Sequence, residues 1–390
     1  MVFLFRYIDF YPNKPDPLGQ NCALRALILK RSFNQLQGES SMGFNKLKRA
    51  FFVLGVIFMT GINGCSLGYE GPVSDHFDGS RFYGRVDHHG FTDMVKWMWE
   101  MEVVDWPVWV EDENQPLPVA QVDEGELRVT HINHATILIQ MDHLNILTDP
   151  IWSYRAGPFS WLGVKRVRAP GIEMDALPRI DYILISHDHY DHLDIPTLKQ
   201  ITARYQPIVL VGLGLRNYLV SKGIDNVVEM DWWQKHKTDR EKFSIYFVPA
   251  QHNSGRWPLM GNKTLWGGYI IDSPGGSVYF AGDTGFGDFV FTIGQRFERI
   301  RLAILPIGSY EKRWFMKAEH MNPEDAVRTH LILRASQSIG MHFGTFNEHP
   351  EQPIDAHEKD LEIAVREQGL FKEQFWILKF GESRNVAEYR

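Results

Sequence analysis

The chain has 390 residues, of which 44% are hydrophobic and 23% are charged, and this balance excludes a wholly disordered protein. The formal net charge of −7, without any basic stripe along the sequence, argues against a nucleic-acid partner. Cys22 and Cys65 are the only cysteines, so we expect neither a disulfide framework nor a thiolate metal site.

The first predicted element is a targeting segment at residues 42–64. It begins with basic residues, continues with an apolar run at 50–60, and ends at Ile62-Asn63-Gly64-Cys65, which resembles a bacterial lipobox. The apolar run is shorter than the roughly twenty residues that a membrane-spanning helix needs. We therefore expect a lipoprotein signal peptide, although an ordinary cleaved signal and an uncleaved anchor remain alternatives.

Lipid modification of Cys65 would anchor the protein to the bacterial cell envelope. Ser66 follows the cysteine and favours an outer-membrane address. Residues 1–41 have no clear role, and we interpret them as a gene-model extension upstream of a natural start at Met42.

Residues 65–125 form an N-terminal segment that is rich in aromatic residues. Trp97, Trp99, Trp106 and Trp109 are crowded together, and Pro107 ends any helix. One interpretation is a helix and loop packed on the main domain, and the other is a flap that faces a membrane or acyl chains.

The main domain is expected at residues 126–383, where predicted strands alternate with helices. Strands are predicted at 135–141, 144–148, 181–186, 207–212, 227–230, 243–249, 267–271, 277–281, 302–307, 339–343 and 376–380. Helices are predicted at 195–205, at 215–222 and after Asn322, which would cap a helix whose first residue is Pro323. This pattern indicates an α/β fold with two sheets between helix layers.

A histidine-rich motif directly follows the apolar strand predicted at 181–186. Its metal-ligand candidates are His187, His189, Asp191 and His192, in the pattern H-x-H-x-D-H. Histidines two positions apart can chelate one ion while the Asp-His pair reaches a second ion beside it, and zinc binds both imidazole and carboxylate. Two ions close together need a bridging ligand.

Further candidates stand at the ends of other predicted strands. They are His252, Asp283 and His342 as metal ligands, and Asp149 as a hydrogen-bond acceptor for a ligand imidazole. Glycines flank Asp283-Thr284 and would let the backbone approach the ions.

In these residues the chain resembles the metallo-β-lactamase superfamily. More narrowly it is similar to the N-acylphosphatidylethanolamine-hydrolysing phospholipase D group and its bacterial outer-membrane relatives. The similarity runs from about residue 126 to 383 and includes Asp231-Trp232-Trp233, the stretch 280–285 (FAGDTG) and the stretch 313–317 (RWFMK). It implies an αββα sandwich, in which two mixed sheets are flanked by helices.

The resemblance also implies a role for each candidate. The first zinc ion would be held by His187, His189 and His252, the second by Asp191, His192 and His342, with Asp283 as the bridge. Asp191 and His320 would be catalytic residues, and His320 would lie outside the metal shell and supply a proton or a hydrogen bond. Iron or manganese would also suit these ligands. Asn133 and Asn253 depart from the family pattern and bear on substrate shape.

The implied function is a di-zinc phosphodiesterase of the phospholipase D type that uses metal-bound hydroxide. Two zinc ions, two aspartates and a hydroxide leave about one net positive charge, which attracts an anionic diester. The expected partners are a phospholipid substrate and the membrane. A lactone or carboxylic-ester hydrolase with the same site is the main alternative, and a non-catalytic lipid-anchored envelope protein is the alternative of another class. The sequence predicts neither the native substrate nor the oligomeric state.

Overall fold

The computed structural model describes residues 67–84, 90–240, 242–256, 261–348 and 351–389. The predicted signal peptide, Cys65 and the upstream extension therefore lie outside the described residues. From Leu67 onward the chain forms one compact unit. In the part of the chain that the structure describes, no helix has both the length and the apolar character needed to cross a membrane.

The first of two large sheets has seven strands in the order β16-β1-β2-β3-β6-β7-β8. Its strands are β1 (Leu127–Asn133), β2 (Thr136–Met141), β3 (Leu144–Thr148), β6 (Tyr182–Leu184), β7 (Ile208–Gly212), β8 (Val227–Met230) and β16 (Ser383–Asn385). Neighbours pair antiparallel from β16 to β3 and parallel from β3 to β8. A separate hairpin consists of β4 (Arg155–Phe159) and β5 (Leu162–Lys165).

The second sheet also has seven strands, in the order β15-β14-β13-β12-β11-β10-β9. They are β9 (Lys235–Lys237), β10 (Ser244–Val248), β11 (Gly268–Asp272), β12 (Ser277–Phe280), β13 (Ile300–Pro306), β14 (Gln337–Met341) and β15 (Phe375–Trp376). Its half from β9 to β12 is antiparallel and its half from β12 to β15 is parallel. Both sheets are therefore mixed.

Helices cover the outer faces of the two sheets. They are α1 (Phe91–Glu100), α2 (Ile195–Tyr205), α3 (Arg216–Ser221), α4 (Phe289–Arg296), α5 (Arg313–Met316), α6 (Pro323–Leu333) and α7 (Ala356–Glu367), with a 3-10 turn at Met174–Ala176. Apolar side chains of α2 and α3 pack on the first sheet, and those of α4, α6 and α7 belong to the core that holds the second sheet. The larger core also joins the two sheets, because it contains residues such as Ile137 and Phe247. This is the predicted sandwich of two mixed sheets between helices.

The sequence signals explain where several elements begin and end. α2 and β8 have the predicted bounds, and the hairpin of β2 and β3 turns at Asp142-His143 as expected. The cap of α6 is also as predicted, because Asn322 Oδ1 accepts a 2.9 Å hydrogen bond from the Asp325 backbone N–H. α1 ends at Glu100, well before Pro107.

The aromatic segment packs partly on the main domain. The Trp97 ring stacks on Phe315 at 5.1 Å, and the Trp106 indole N–H donates a 2.7 Å hydrogen bond to the Gln352 carbonyl. In contrast, Trp99 and Val108 are more than 85% exposed to solvent. Trp97 and Trp106 therefore fit the interpretation of a helix and loop packed on the main domain. Trp99 and Val108 are exposed and can contact a partner at the surface.

Candidate metal centre

The loop between β6 and α2 carries the histidine-rich motif, and hydrogen bonds from Gly255 and Arg256 hold it in place. Gly255 N–H donates a 2.6 Å hydrogen bond to Asp188 Oδ1, and Arg256 donates 2.8 Å hydrogen bonds to the carbonyls of Asp188 and Leu193. The Arg256 guanidinium also stacks on Tyr190, 4.1 Å from the ring centre. These contacts fix both ends of the loop, so the side chains between them point in defined directions.

The other candidates reach this loop from strand ends and turns. His252, Asp283 and His342 follow β10, β12 and β14, and His134 lies in the tight turn between β1 and β2. His134 and His342 have positive φ angles of 44° and 62°, which are unusual for residues other than glycine. These four segments and the histidine-rich loop bring imidazole and carboxylate groups to one place.

Gly282 is required by the close approach of two of these segments. Its φ is +62°, and a Cβ atom at this position would lie 2.6 Å from the Cβ of Ser186. A larger residue would push the Asp283 segment away from the histidine-rich loop. Gly282 thus permits close packing against Ser186, whereas the predicted approach of the backbone to metal ions stays a prediction.

A first group of nitrogen atoms comes from His187, His189 and His252. His187 Nε2 lies 2.8 Å from His189 Nδ1, and His252 Nε2 lies 3.3 Å from the same atom. All three side chains present a ligand atom within 4.8 Å of the others. This is the group that the sequence assigns to the first ion.

A second group forms around Asp191 and contains one residue that the sequence analysis did not assign. Asp191 Oδ2 lies 2.9 Å from His192 Nε2, 3.4 Å from His342 Nε2 and 2.8 Å from His134 Nε2. His134 is therefore the residue that was missed. It lies in the turn between β1 and β2, three residues after His131, and this spacing did not mark it as a metal ligand.

Asp283 lies between the two groups. Its Oδ2 atom is 3.0 Å from His342 Nε2 and 3.3 Å from His192 Nε2 in the second group, and 3.9 Å from His252 Nε2 in the first. This position is compatible with a carboxylate shared by two ions, and the bridging role stays a prediction.

Hydrogen bonds on the side away from the centre orient the rings of the candidate ligands. Asp149 Oδ2 accepts from His192 Nδ1 at 2.8 Å and from the Ser186 hydroxyl at 2.6 Å. His252 Nδ1 donates to the Glu319 carbonyl at 3.1 Å. When Nδ1 carries the proton, the Nε2 lone pair of the same ring faces the centre and is free for a metal. The contact of Asp149 with a ligand imidazole is the one expected from the sequence.

The buried carboxylates of the centre favour a bound cation. Burial alone would lower the pKa of His192, but the carboxylates of Asp191 and Asp283 outweigh burial and raise that pKa well above its ordinary value. Burial would raise the pKa of Asp283, but His192 and His342 together outweigh burial and hold this pKa well below the ordinary range. In the first group, burial lowers the pKa of His252 to about 4, so that imidazole is neutral at pH 7. The carboxylates thus bind positive charge, and the neutral imidazole has a lone pair to offer.

The residues present fit divalent metal ions. Within the described residues, Nε2 of His192, Nε2 of His342 and Oδ1 of Asp283 are buried and have no hydrogen-bond partner. Buried polar atoms without partners are costly unless another group satisfies them. The donor set of imidazole nitrogen and carboxylate oxygen, without sulfur, suits zinc, iron or manganese.

His320 lies next to these two groups, and with His252 and Asp283 it forms a further set whose ligand atoms lie within 4.8 Å of one another. Its Nδ1 atom is 3.9 Å from Asp283 Oδ2, and its ring centre is 5.1 Å from that of His252. Arg313 donates a 2.8 Å hydrogen bond to the His320 carbonyl, which fixes the backbone just before α6. His320 is buried and within reach of a molecule bound between the two groups.

Comparison with known proteins places these observations in a family. A family model described as a β-lactamase superfamily domain matches residues 144–343, about half of the chain. A Caenorhabditis elegans protein named N-acyl-phosphatidylethanolamine-hydrolyzing phospholipase D 1 is 39% identical over 232 residues, which are 57% of this chain and 65% of that protein. A Saccharomyces cerevisiae protein named N-acyl-phosphatidylethanolamine-hydrolyzing phospholipase D, mitochondrial, is 36% identical over 245 residues, which are 62% of this chain and 52% of the yeast protein. The chain therefore spans less than two thirds of the length of either relative.

Solved structures share the same architecture. The crystal structure of an isothiocyanate hydrolase from Delia radicum gut bacteria superposes with a TM-score of 0.55 at 19% identity. The match covers 67% of this chain and 100% of that one. It supports the arrangement of two sheets between helices.

Proposed function

Because the chain belongs to the metallo-β-lactamase superfamily, we propose that it is a metal-dependent hydrolase that cleaves the head-group phosphodiester of N-acylphosphatidylethanolamine-like phospholipids. The substrate class is supported by the names of the nematode and yeast relatives. The observation that carries the proposal is the pair of ligand groups with Asp283 between them.

Two ions would occupy this centre. His187, His189 and His252 would hold the first, and Asp191, His192 and His342 would hold the second, with Asp283 shared. The ions would lower the pKa of bound water to about 7 and neutralise the charge that develops on the phosphoryl oxygens. His134, 2.8 Å from Asp191 Oδ2, would hold that carboxylate in place or contact the second ion itself.

A side chain of the protein must supply the proton that the leaving alcohol takes up. Hydrolysis adds a water oxygen to phosphorus and breaks the P–O bond to the head-group alcohol, whose oxygen must take up a proton. His320 is the nearest imidazole outside the main ligand groups, with Nδ1 3.9 Å from Asp283 Oδ2. We assign it the role of delivering that proton or donating a hydrogen bond to a phosphoryl oxygen.

A lipid substrate also requires access from a membrane surface. The exposed side chains Trp99 and Val108 lie on the same aromatic segment as Trp106, which lines a pocket beside His342. Exposed tryptophan is suited to the boundary between lipid head groups and acyl chains. This arrangement favours a substrate that is drawn from a bilayer.

We further propose that Cys65 carries a lipid anchor at the outer membrane, a proposal that depends on the sequence pattern at residues 42–65 alone. Cys65→Ser should give a protein that is no longer held in the membrane fraction, while the purified variant keeps its metal content. Labelling cells with a fatty-acid analogue provides the direct test. Wild-type protein without label would refute the anchor.

The proposed activity is tested by assaying purified protein against phospholipids and lactones, with metal analysis of each sample. The expected result is turnover of N-acylated phosphatidylethanolamine that is lost in the Asp283→Ala variant. Turnover of lactones without any phospholipid turnover would instead favour the lactone hydrolase.

A further inference from the structure

The residues just before His320 are held by a loop that carries a candidate metal ligand. Gln251 Nε2 donates a 2.9 Å hydrogen bond to the Ala318 carbonyl. His252 Nδ1 donates a 3.1 Å hydrogen bond to the Glu319 carbonyl. These two bonds fix the backbone that leads to His320 against the loop after β10.

The residue just after His320 is held by a second loop of this kind. The Met321 N–H donates a 2.8 Å hydrogen bond to the Thr284 carbonyl, and Thr284 directly follows Asp283 in the chain. Because Thr284 and His252 belong to segments that carry candidate ligands, a substitution at either residue would disturb the ions as well as His320. Neither contact can therefore be changed to test His320 alone.

Arg313 holds His320 itself, and it belongs to α5 rather than to a loop that carries candidate ligands. Its Nη1 atom donates a 2.8 Å hydrogen bond to the His320 carbonyl, and its Nη2 atom donates a 2.6 Å hydrogen bond to Asp325 Oδ2. Asp325 lies in the first turn of α6, where its backbone N–H bonds to the Asn322 cap. One guanidinium therefore joins the start of α5, the backbone of His320 and the first turn of α6.

The shape of the guanidinium suits this contact. Its N–H groups lie in one rigid plane, so it donates to a carbonyl and a carboxylate at once and fixes the angle between them. The side chains of Arg313 and Asp325 are only 26% and 17% exposed, which shields the ion pair from most of the solvent. An arginine also has no lone pair to offer a metal ion, so its removal takes no ligand from the centre.

We propose that Arg313 is a positioning residue, which holds His320 where its imidazole serves the reacting phosphodiester. This inference rests on the proposed function, because it takes His320 as the residue that supplies a proton or a hydrogen bond. Arg313 acts through the backbone of His320 and not on the substrate. Misplacing a reacting group by about 1 Å can cost about 100-fold in rate, so the loss of this contact should be visible in turnover.

A double-mutant cycle on the metal-loaded protein, with N-acylphosphatidylethanolamine as substrate, tests whether Arg313 acts through His320. Arg313→Met should lower kcat by about 10–100-fold, with KM and metal content unchanged. In the His320→Ala background the same substitution should change kcat by less than about twofold, because the effects of two residues that act as a unit do not add. An equal fold loss in both backgrounds, a rise in KM without a fall in kcat, or loss of metal would overturn the inference.

Two milder variants and one control accompany Arg313→Met. Arg313→Lys and Asp325→Asn should each lower kcat less than Arg313→Met does, because each keeps part of the hydrogen bonding. Arg366→Gln removes the same charge from an exposed position on α7 and should leave kcat at the wild-type value. A loss in Arg366→Gln as large as that in Arg313→Met would overturn the inference.

Hydrogen–deuterium exchange provides a measurement that needs no turnover. The amide exchange of residues 319–321 should be several-fold faster in Arg313→Met than in the wild type, because this backbone has lost one of its contacts. Exchange in Arg366→Gln should match the wild type. Unchanged exchange in Arg313→Met would overturn the inference whatever the kinetics show. Failure of the wild type to cleave any phosphodiester would defeat the proposed function, and the exchange measurement distinguishes that result from a failure of the Arg313 contact.

Discussion

At the scale of single residues, Asp283 has the most demanding position. Its Oδ2 atom lies 3.0 Å from His342 Nε2 and 3.9 Å from His252 Nε2, so one carboxylate faces nitrogen atoms of both groups. Burial makes an uncompensated charge here costly. Removing this side chain should therefore affect both ions and not one alone.

We predict that Asp283→Ala loses both metal ions and all measurable hydrolysis, since the remaining ligands cannot neutralise two adjacent divalent ions. Elemental analysis of the purified variant provides the measurement. Asp288→Ala is the matched control, because Asp288 is exposed on the same segment and carries the same charge. Full metal occupancy in Asp283→Ala would contradict the assignment of Asp283 as a bridging ligand.

His320 should behave differently from the ligands. We predict that His320→Ala keeps both ions and lowers kcat by about 10²–10⁴-fold, the usual contribution of a proton donor or a hydrogen bond to developing charge. Steady-state kinetics together with metal analysis separates the two effects. Unchanged kcat, or metal loss as large as that of a ligand variant, would reject this role.

Sequence spacing identified most of the side chains that the fold brings together, but it did not identify all of their neighbours in space. His187 and His189 stand two positions apart after a strand, a spacing that chemistry alone can interpret. His134 comes from the turn between β1 and β2, and its partner Asp191 is distant in sequence. Only the folded chain brings the two side chains together, so local patterns could not identify His134.

At the scale of elements, a strong local signal such as a helix cap predicted where an element begins. Some elements without such a signal were not predicted. α6 has the predicted Asn322 cap, whereas the strands β1 and β16 were not predicted. β16 has only three residues, Ser383–Asn385, and exists because it pairs antiparallel with β1. Its sequence carries no apolar run, and pairing across the chain determines it.

One contact joins the N-terminal segment to the end of β8 and should depend on pH. His76 Nε2 lies 2.8 Å from Asp231 Oδ1, Nδ1 lies 2.6 Å from Asp75 Oδ1, and the ring stacks on Trp232 at 4.7 Å. The hydrogen bond with Asp231 outweighs partial burial, and together with Asp75 it raises the pKa of His76 above 6.5. Protonated His76 thus stabilises the folded state most fully below pH 6.5, and this contribution is lost as pH rises through the folded-state pKa.

We predict that His76→Ala lowers the free energy of unfolding by about 1 kcal/mol more near pH 6 than near pH 9, a modest value because the pair is partly exposed to solvent. Urea unfolding at the two pH values provides the measurement. Asp231→Asn should reduce the same pH dependence. An equal effect of His76→Ala at both pH values would show that the ion pairs do not stabilise this contact.

At the scale of the whole molecule, two sheets with the same mixed arrangement place the ligands at strand ends. His252, Asp283 and His342 follow strands of the second sheet, whereas the histidine-rich loop follows β6 of the first. The centre therefore lies where the sheets meet, and its geometry depends on the packing of both. The sequence predicted this layout through the resemblance, because strand order cannot be derived from local patterns.

We propose that this centre directs water to the phosphorus atom of a phospholipid. The most direct measurement is hydrolysis of N-acylphosphatidylethanolamine by the metal-loaded protein in ¹⁸O-water, followed by mass spectrometry of both products. Attack at phosphorus predicts the label in phosphatidic acid and none in the N-acylethanolamine. Label in the alcohol would contradict attack at phosphorus, and hydrolysis of lactones without cleavage of the phospholipid would contradict the proposed substrate.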